Sequence, residues 1–191
     1  MENKLQEEFL KLFNKIENED TTDLLEYLRL TDYFTAPSSS KFHGAKESGN
    51  LEHSINVTKF ALDLNKKMKL ELSEESIVIV GLFHDLGKCE YYNEPNYIKN
   101  ILKNGKQSTT KPYITNEVRR GVPHEIASIH MIEGLVELSQ DEMFAILHHN
   151  GMYGDLKYQL QGNERKLQQL IHFADMWASR FLETEDEQDG K

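Results

Sequence analysis

Apolar residues recur at three- and four-residue spacing along most of this chain, a period that favours helices over strands. Leu5, Phe9, Leu12, Phe13 and Ile16 form such a stripe, which predicts an amphipathic helix over residues 2–18. Residues 22–31 predict a second, short helix and residues 51–68 a longer one. Ser73 is placed to cap a helix over 74–86, with Gly87 as its C′ stop. Pro123 suits the first position of a helix over 123–138, and further helices are expected at 141–149 and 167–182. Two stretches break the period. Residues 34–49, FTAPSSSKFHGAKESG, read as a loop, yet one too rich in Phe, Ala and His for a mere linker. Residues 91–122 hold tyrosine-rich runs around Asn104-Gly105, a β-hairpin signal. The expected fold class is all-α: one helical bundle over residues 1–182, with a small β insertion at about 91–122. An acidic tail, 183–191, follows and carries no apolar residue to hold it in place.

At 191 residues the chain has the length of one domain. Its 22 basic and 32 acidic side chains leave a formal charge of −10, which argues against bulk electrostatic binding of extended nucleic acid or of an anionic membrane. The longest apolar run, Ile77 to Phe83, is far shorter than the ~20 residues that cross a bilayer. The N-terminal MENKLQEEFLKLF lacks the apolar region of a secretory leader, and Cys89, the one cysteine, has no intramolecular partner for a disulfide. A cytoplasmic, reducing location is therefore expected.

Polar chemistry concentrates at a few histidines and aspartates. His53 lies in LEHSIN, His84 and Asp85 are adjacent in GLFHDLGK, and His124 opens HEIAS. His148 and His149 end AILHH, and Asp175 lies in IHFADMW. Most stand near a helix end or a glycine, where a pocket can form. Imidazole and carboxylate together suit a first-row divalent cation, and side chains from several helices can enclose one in a bundle core. Lys88, just past Gly87, adds a positive charge close in sequence to His84 and Asp85. His43, in the loop before the His53 helix, is a candidate for contact with substrate or leaving group. Neighbours on a helix point about 100° apart, so His148 is read as a supporting or substrate-contacting neighbour of His149 rather than its equivalent. His172, three residues before Asp175, is a candidate for supporting a ligand from behind. His130, Cys89 and Trp177 read as packing residues, and the tyrosines of the insertion as its packing face or as a lid.

The order His53, His84-Asp85, His124, His149, Asp175 resembles that of the HD-domain metal-dependent phosphohydrolase superfamily, over roughly residues 42–182. The matching elements are GNLEH at 49–53, LFHDLGK at 82–88, His124-Glu125, His149 and Phe173-Ala174-Asp175. The resemblance implies that His53, His84, Asp85 and Asp175 hold one divalent metal. It implies a second at His124 and His149, with Asp85 bridging, as in the two-metal branch. Iron, manganese, cobalt, nickel, magnesium and zinc all suit such ligands. The implied activity is hydrolysis of a phosphoester or phosphoanhydride by a hydroxide shared between the metals, with Asp85, Lys88 and His43 at the reacting centre. Subfamily signatures narrow the substrate. The proline that follows the paired histidines in cyclic-dinucleotide phosphodiesterases is absent, and Lys88 stands where small deoxynucleotidases tend to carry an acid. The C-terminal pattern looks more like that of diadenosine polyphosphate hydrolases, or of the HD domain of certain bacterial exoribonucleases. A small nucleotide-like substrate is the first expectation. A phosphodiesterase or exonuclease acting on short oligonucleotides is the second, and a catalytically silent metal- or nucleotide-binding sensor the third. A homodimer is expected only because symmetric dimers are the commonest assembly.

Overall fold

The apolar run Ile77–Phe83 is buried on every side because it forms the central helix, α4 (Glu74–Phe83). The computed structural model describes residues 2–17, 20–119 and 121–183. Before α4 come α1 (Glu2–Phe13), α2 (Thr22–Leu30) and α3 (Gly49–Met68). After it come β1 (Tyr97–Lys99), β2 (Tyr113–Thr115), α5 (His124–Ile132), α6 (Gln140–Leu147), α7 (Lys157–Leu160) and α8 (Lys166–Trp177). The architecture is a helical bundle with one small antiparallel hairpin.

Helices α3 and α4 stand between two apolar clusters. In the first, Phe9 and Phe13 of α1, Leu24 and Leu28 of α2, and Tyr33 close on Leu51 and Ile55 of α3 and on Val78, Leu82 and Phe83 of α4. The Tyr33 hydroxyl, fully buried, donates to the Leu82 carbonyl at 3.0 Å, so its polar end is satisfied inside the core. In the second, Val57 and Ala61 of α3 and Ile77 and Val80 of α4 meet Ala145 and Ile146 of α6 and Leu167, Leu170, Ile171 and Ala174 of α8. Burial on both sides fixes α3 against α4, and with them the side chains at their ends.

Local signals explain most boundaries, and the exceptions have physical causes. Ser73 caps α4 as expected, its hydroxyl oxygen accepting from the Ser76 N–H at 3.2 Å. The helix ends at Phe83 rather than residue 86, and Leu86–Lys88 form a 3₁₀ turn. Gly87 is not a left-handed stop: a Cβ there would lie 2.0 Å from the His124 carbonyl oxygen, so the glycine serves the close approach of α5. Pro123 takes the N-cap with extended backbone, so α5 starts one residue later, and it stops at Ile132 where Glu133 turns extended. The first helix ends at Phe13, although Ile16 beyond it is still buried. The long C-terminal helix changes to a π-helical turn over Ala178–Leu182. Asn104-Gly105 lies at the tip of the hairpin, where the Leu102 N–H bonds the Lys106 carbonyl at 2.8 Å. The paired strands stand farther back, with Tyr97 opposite Thr115 and Lys99 opposite Tyr113. The Tyr113 N–H donates to the Ser40 carbonyl at 3.1 Å, which docks the insertion on the loop before α3. Residues 184–191 of the expected tail lie outside the described residues. No described helix is long and apolar enough to cross a membrane.

Gly81 sits where α4 crosses α3: a Cβ there would lie 2.5 Å from Thr58 Oγ1 and 3.0 Å from Thr58 Cα. Gly81→Ala is expected to lower unfolding stability by about 1–3 kcal/mol through overpacking. Adding Thr58→Ala should recover part of that loss in denaturant titrations, since it removes the nearer, side-chain atom and leaves the backbone one in place.

Candidate metal centre

Helix ends carry the cluster. His53 comes from the first turns of α3, and His84 and Asp85 from the C-terminal end of α4. His124 is the first residue of α5, His149 lies just past the end of α6, and Asp175 projects from the last turn of α8. All six residues meet. The two oxygens of Asp85 divide them: Oδ2 lies 3.6 Å from both His53 Nε2 and His84 Nε2, and Oδ1 lies 3.3 Å from His124 Nε2 and 3.5 Å from His149 Nε2. Asp175 Oδ1 closes the first group at 3.2 Å from His53 Nε2, and the His124 and His149 Nε2 atoms stand 3.4 Å apart. Asp85 itself has φ −106° and ψ 13°, the bridge region where many active-site residues sit.

The inward-facing atoms suit a cation. His84 Nδ1–H donates to the Gly81 carbonyl at 3.0 Å and His149 Nδ1–H to the Ile146 carbonyl at 2.8 Å, which leaves each Nε2 as the lone pair. His53 Nε2, His84 Nε2 and Asp85 Oδ1 are buried without a hydrogen-bond partner. Unsatisfied buried polar atoms are rare, and here two of them face the first group and Asp85 Oδ1 faces the second, as metal donors would. The sets His53/His84/Asp175 and His84/Asp85/His149 each bring ligand atoms within 4.8 Å of one another and could hold a divalent metal.

Electrostatics point the same way. Burial favours the neutral form of every group here. For His84 burial dominates and lowers the pKa to about 4, so its imidazole is neutral at physiological pH. For His53 burial is outweighed by the carboxylates of Asp175 and Glu183, which raise it to about 10. Burial would raise Asp85, but Lys88 and the surrounding histidines hold it well below the usual carboxylate range. Asp175 is held down in the same sense, chiefly by His53. Ionised Asp85 and Asp175 and a neutral His84 are the protonation states that metal ligands require.

The turn that carries the cluster, residues 84–89, is held by its carbonyls. Ser128 of α5 donates to the His84 carbonyl at 2.8 Å and accepts from the Gly87 N–H at 2.7 Å. Asn50 Nδ2 donates to the Asp85 carbonyl at 3.3 Å, and the Arg119 guanidinium to the carbonyls of Gly87 and Cys89. Sequence reasoning assigned none of these roles. Asn50 lay inside a recognised motif, while Ser128 and Arg119 carry no local signal because they act across the fold.

The remaining candidates divide. Lys88 Nζ donates to Asp85 Oδ2 at 2.6 Å, so it joins the cluster. The His43 ring centre lies 5.4 Å from that of His53. His172 Nδ1–H donates to the His149 carbonyl at 2.8 Å and so supports that residue from behind. His148 stays apart: its ring packs on Phe144 and its carbonyl accepts from Gln168. Trp177 is not a core residue, since it lies stacked between Phe60 and Phe181 and 41% exposed. Glu183, expected at the start of a loose tail, is instead bonded to His53 Nδ1 at 3.0 Å. A cleft of about 780 Å³ borders the cluster at His43 and Glu183, lined also by Lys41, Lys46, Thr109 and Pro112.

Compared with known families, residues 50–175 match the one described as the HD domain. Searches of curated proteins and of solved structures return no match.

Ser128→Ala would leave the buried His84 carbonyl and Gly87 N–H without a partner. A loss of about 1–3 kcal/mol in unfolding stability is expected, read by chemical denaturation.

Proposed function

The chain belongs to the HD-domain family, whose members are generally metal-dependent hydrolases, and from that premise we propose that it is a two-metal phosphohydrolase of small nucleotide-like substrates. The observation that carries the reading is the division of Asp85, one oxygen facing His53 and His84 and the other facing His124 and His149. His53, His84, Asp85 and Asp175 would hold one ion; Asp85, His124 and His149 would hold the other. When bound, such a pair lowers the pKa of water and neutralises charge on phosphoryl oxygens.

The chain's own residues supply the rest. Lys88 sets a fixed positive charge beside Asp85, placed to meet a phosphate oxygen. His43 stands between the cluster and the cleft and touches the substrate or its leaving group. The cleft, about 780 Å³, falls within the roughly 300–1,000 Å³ typical of small-molecule sites. It is bounded by the loop before α3, the β insertion and the C-terminal segment, and the −10 charge of the chain disfavours an extended polyanion. These features support a small phosphorylated substrate over a polymer.

Elemental analysis of the purified protein should find about two divalent ions per chain. Phosphate release from a panel of nucleoside phosphates, dinucleoside polyphosphates, cyclic nucleotides and short oligonucleotides should single out one small substrate. Asp85→Ala should lose metal and slow turnover by more than about 100-fold. Wild-type rates in that variant would overturn the reading. His124→Ala should give up one ion and keep the other; unchanged metal content would rule out the second ion.

A further inference from the structure

The four histidines of the cluster are oriented in two different ways. His84 and His149 each give their Nδ1–H to the backbone carbonyl three residues earlier. His53 and His124 instead face carboxylates. His53 Nδ1 lies 3.0 and 3.1 Å from the two oxygens of Glu183, and His124 Nδ1 lies 3.3 Å from Glu125 Oε2. Each carboxylate is in turn held by an asparagine: Asn56 Nδ2 donates to Glu183 Oε1 at 3.1 Å, and Asn150 Nδ2 to Glu125 Oε1 at 2.6 Å. The cluster therefore has a Glu–Asn pair behind a histidine in each of the two groups that Asp85 divides.

Glu125 is the sequence neighbour of His124, but Glu183 reaches His53 across 130 positions. The π-helical turn brings it there. A straight α-helix would carry the side chain eight residues after Asp175 about 80° round the axis from it. The wider turn over Ala178–Leu182, closed by the Glu183 N–H to the Ala178 carbonyl, takes up that excess. Glu183 then lies on the same side as Asp175, its side chain only 6% exposed, with His53 between the two carboxylates. π turns inside helices are uncommon and concentrate at functional sites.

We propose that Glu183 is a positioning residue of the metal centre: it accepts a hydrogen bond from His53 Nδ1–H, so that the Nε2 lone pair faces the ion shared with His84, Asp85 and Asp175, and it makes that nitrogen a stronger donor. This rests on the two-metal reading above. A carboxylate behind a metal-bound histidine fixes the tautomer and raises ligand basicity, and losing one typically costs 10–100-fold in metal affinity.

The test uses the full chain, stripped and reloaded with cobalt(II), with affinities from chelator competition and the ligand field read by visible absorption. The wild type should bind two ions; if it binds none, the two-metal reading itself fails. Given two, Glu183→Ala should weaken one ion by about 10–100-fold and change its spectrum, while the other ion holds within about twofold. Glu183→Gln keeps an acceptor for the Nδ1 proton without the charge and should fall between alanine and wild type. Wild-type affinities and spectrum in Glu183→Ala would overturn the proposal. So would a third ion that disappears on both His43→Ala and Glu183→Ala, since His43, His53 and Glu183 also bring ligand atoms within 4.8 Å and Glu183 would then be a ligand itself. If Glu183→Ala does not fold, Asn56→Ala carries the test: a severalfold loss at the same ion supports the assignment, and an unchanged affinity overturns it.

Discussion

A buried carboxylate that cannot be left alone organises this protein. Asp85 is almost wholly buried, and an isolated ionised carboxylate in such a place would be prohibitively costly. It is compensated from every side: by the Lys88 ammonium, by four imidazoles, and by the dipoles that hold its turn. His53, His124 and His149 each arrive from a different helix, so the packing of the helices has to be right at their ends and not only along their faces. The two apolar clusters accomplish this. One locks α1 and α2 onto α3 and α4, the other locks α6 and α8 onto the same pair, and α5 is drawn close at Gly87.

The arrangement explains which parts of the molecule were legible in the sequence. The cap at Ser73, the apolar run of α4 and the turn at Asn104-Gly105 follow from short-range chemistry and could be read directly. The six clustered His and Asp residues could be read because their types and order are distinctive, though only the folded chain shows that they converge. What could not be read acts at long range. Gly87 carried the local signature of a helix stop, but its reason is the carbonyl of His124, 37 positions away by number and in contact in space. Arg119 and Ser128 hold the same turn from elements whose own periodicity says nothing about it. Glu183 looked like the first residue of a polar tail because composition cannot register one hydrogen bond to a buried histidine.

The cleft follows the same logic. Its walls come from the segments with the weakest periodicity: the loop before α3, the hairpin, and the end of the C-terminal helix. Loops that a rigid scaffold positions can vary in length and polarity without disturbing the core, which is why recognition tends to reside in them. Here the scaffold supplies the charged cluster, and the loops supply shape and rim charge from Lys41 and Lys46. Phe42 of that loop is 68% exposed and is therefore not one of the residues that hold the fold together.

Several departures from local rules lie around the cluster. Ser48, just before α3, adopts a left-handed backbone conformation, and Asp85 sits in the bridge region. The last helix widens into a π turn, and three inward polar atoms have no partner. Elsewhere, in the apolar clusters beneath α3 and α4, propensity, periodicity and burial agree. A chain selected only for stability would replace buried unsatisfied nitrogens with methyl groups, because well-packed apolar side chains are as stable as buried ion pairs or more so. These atoms face inward from the start of α3 and the end of α4, which places the cost where a ligand would repay it.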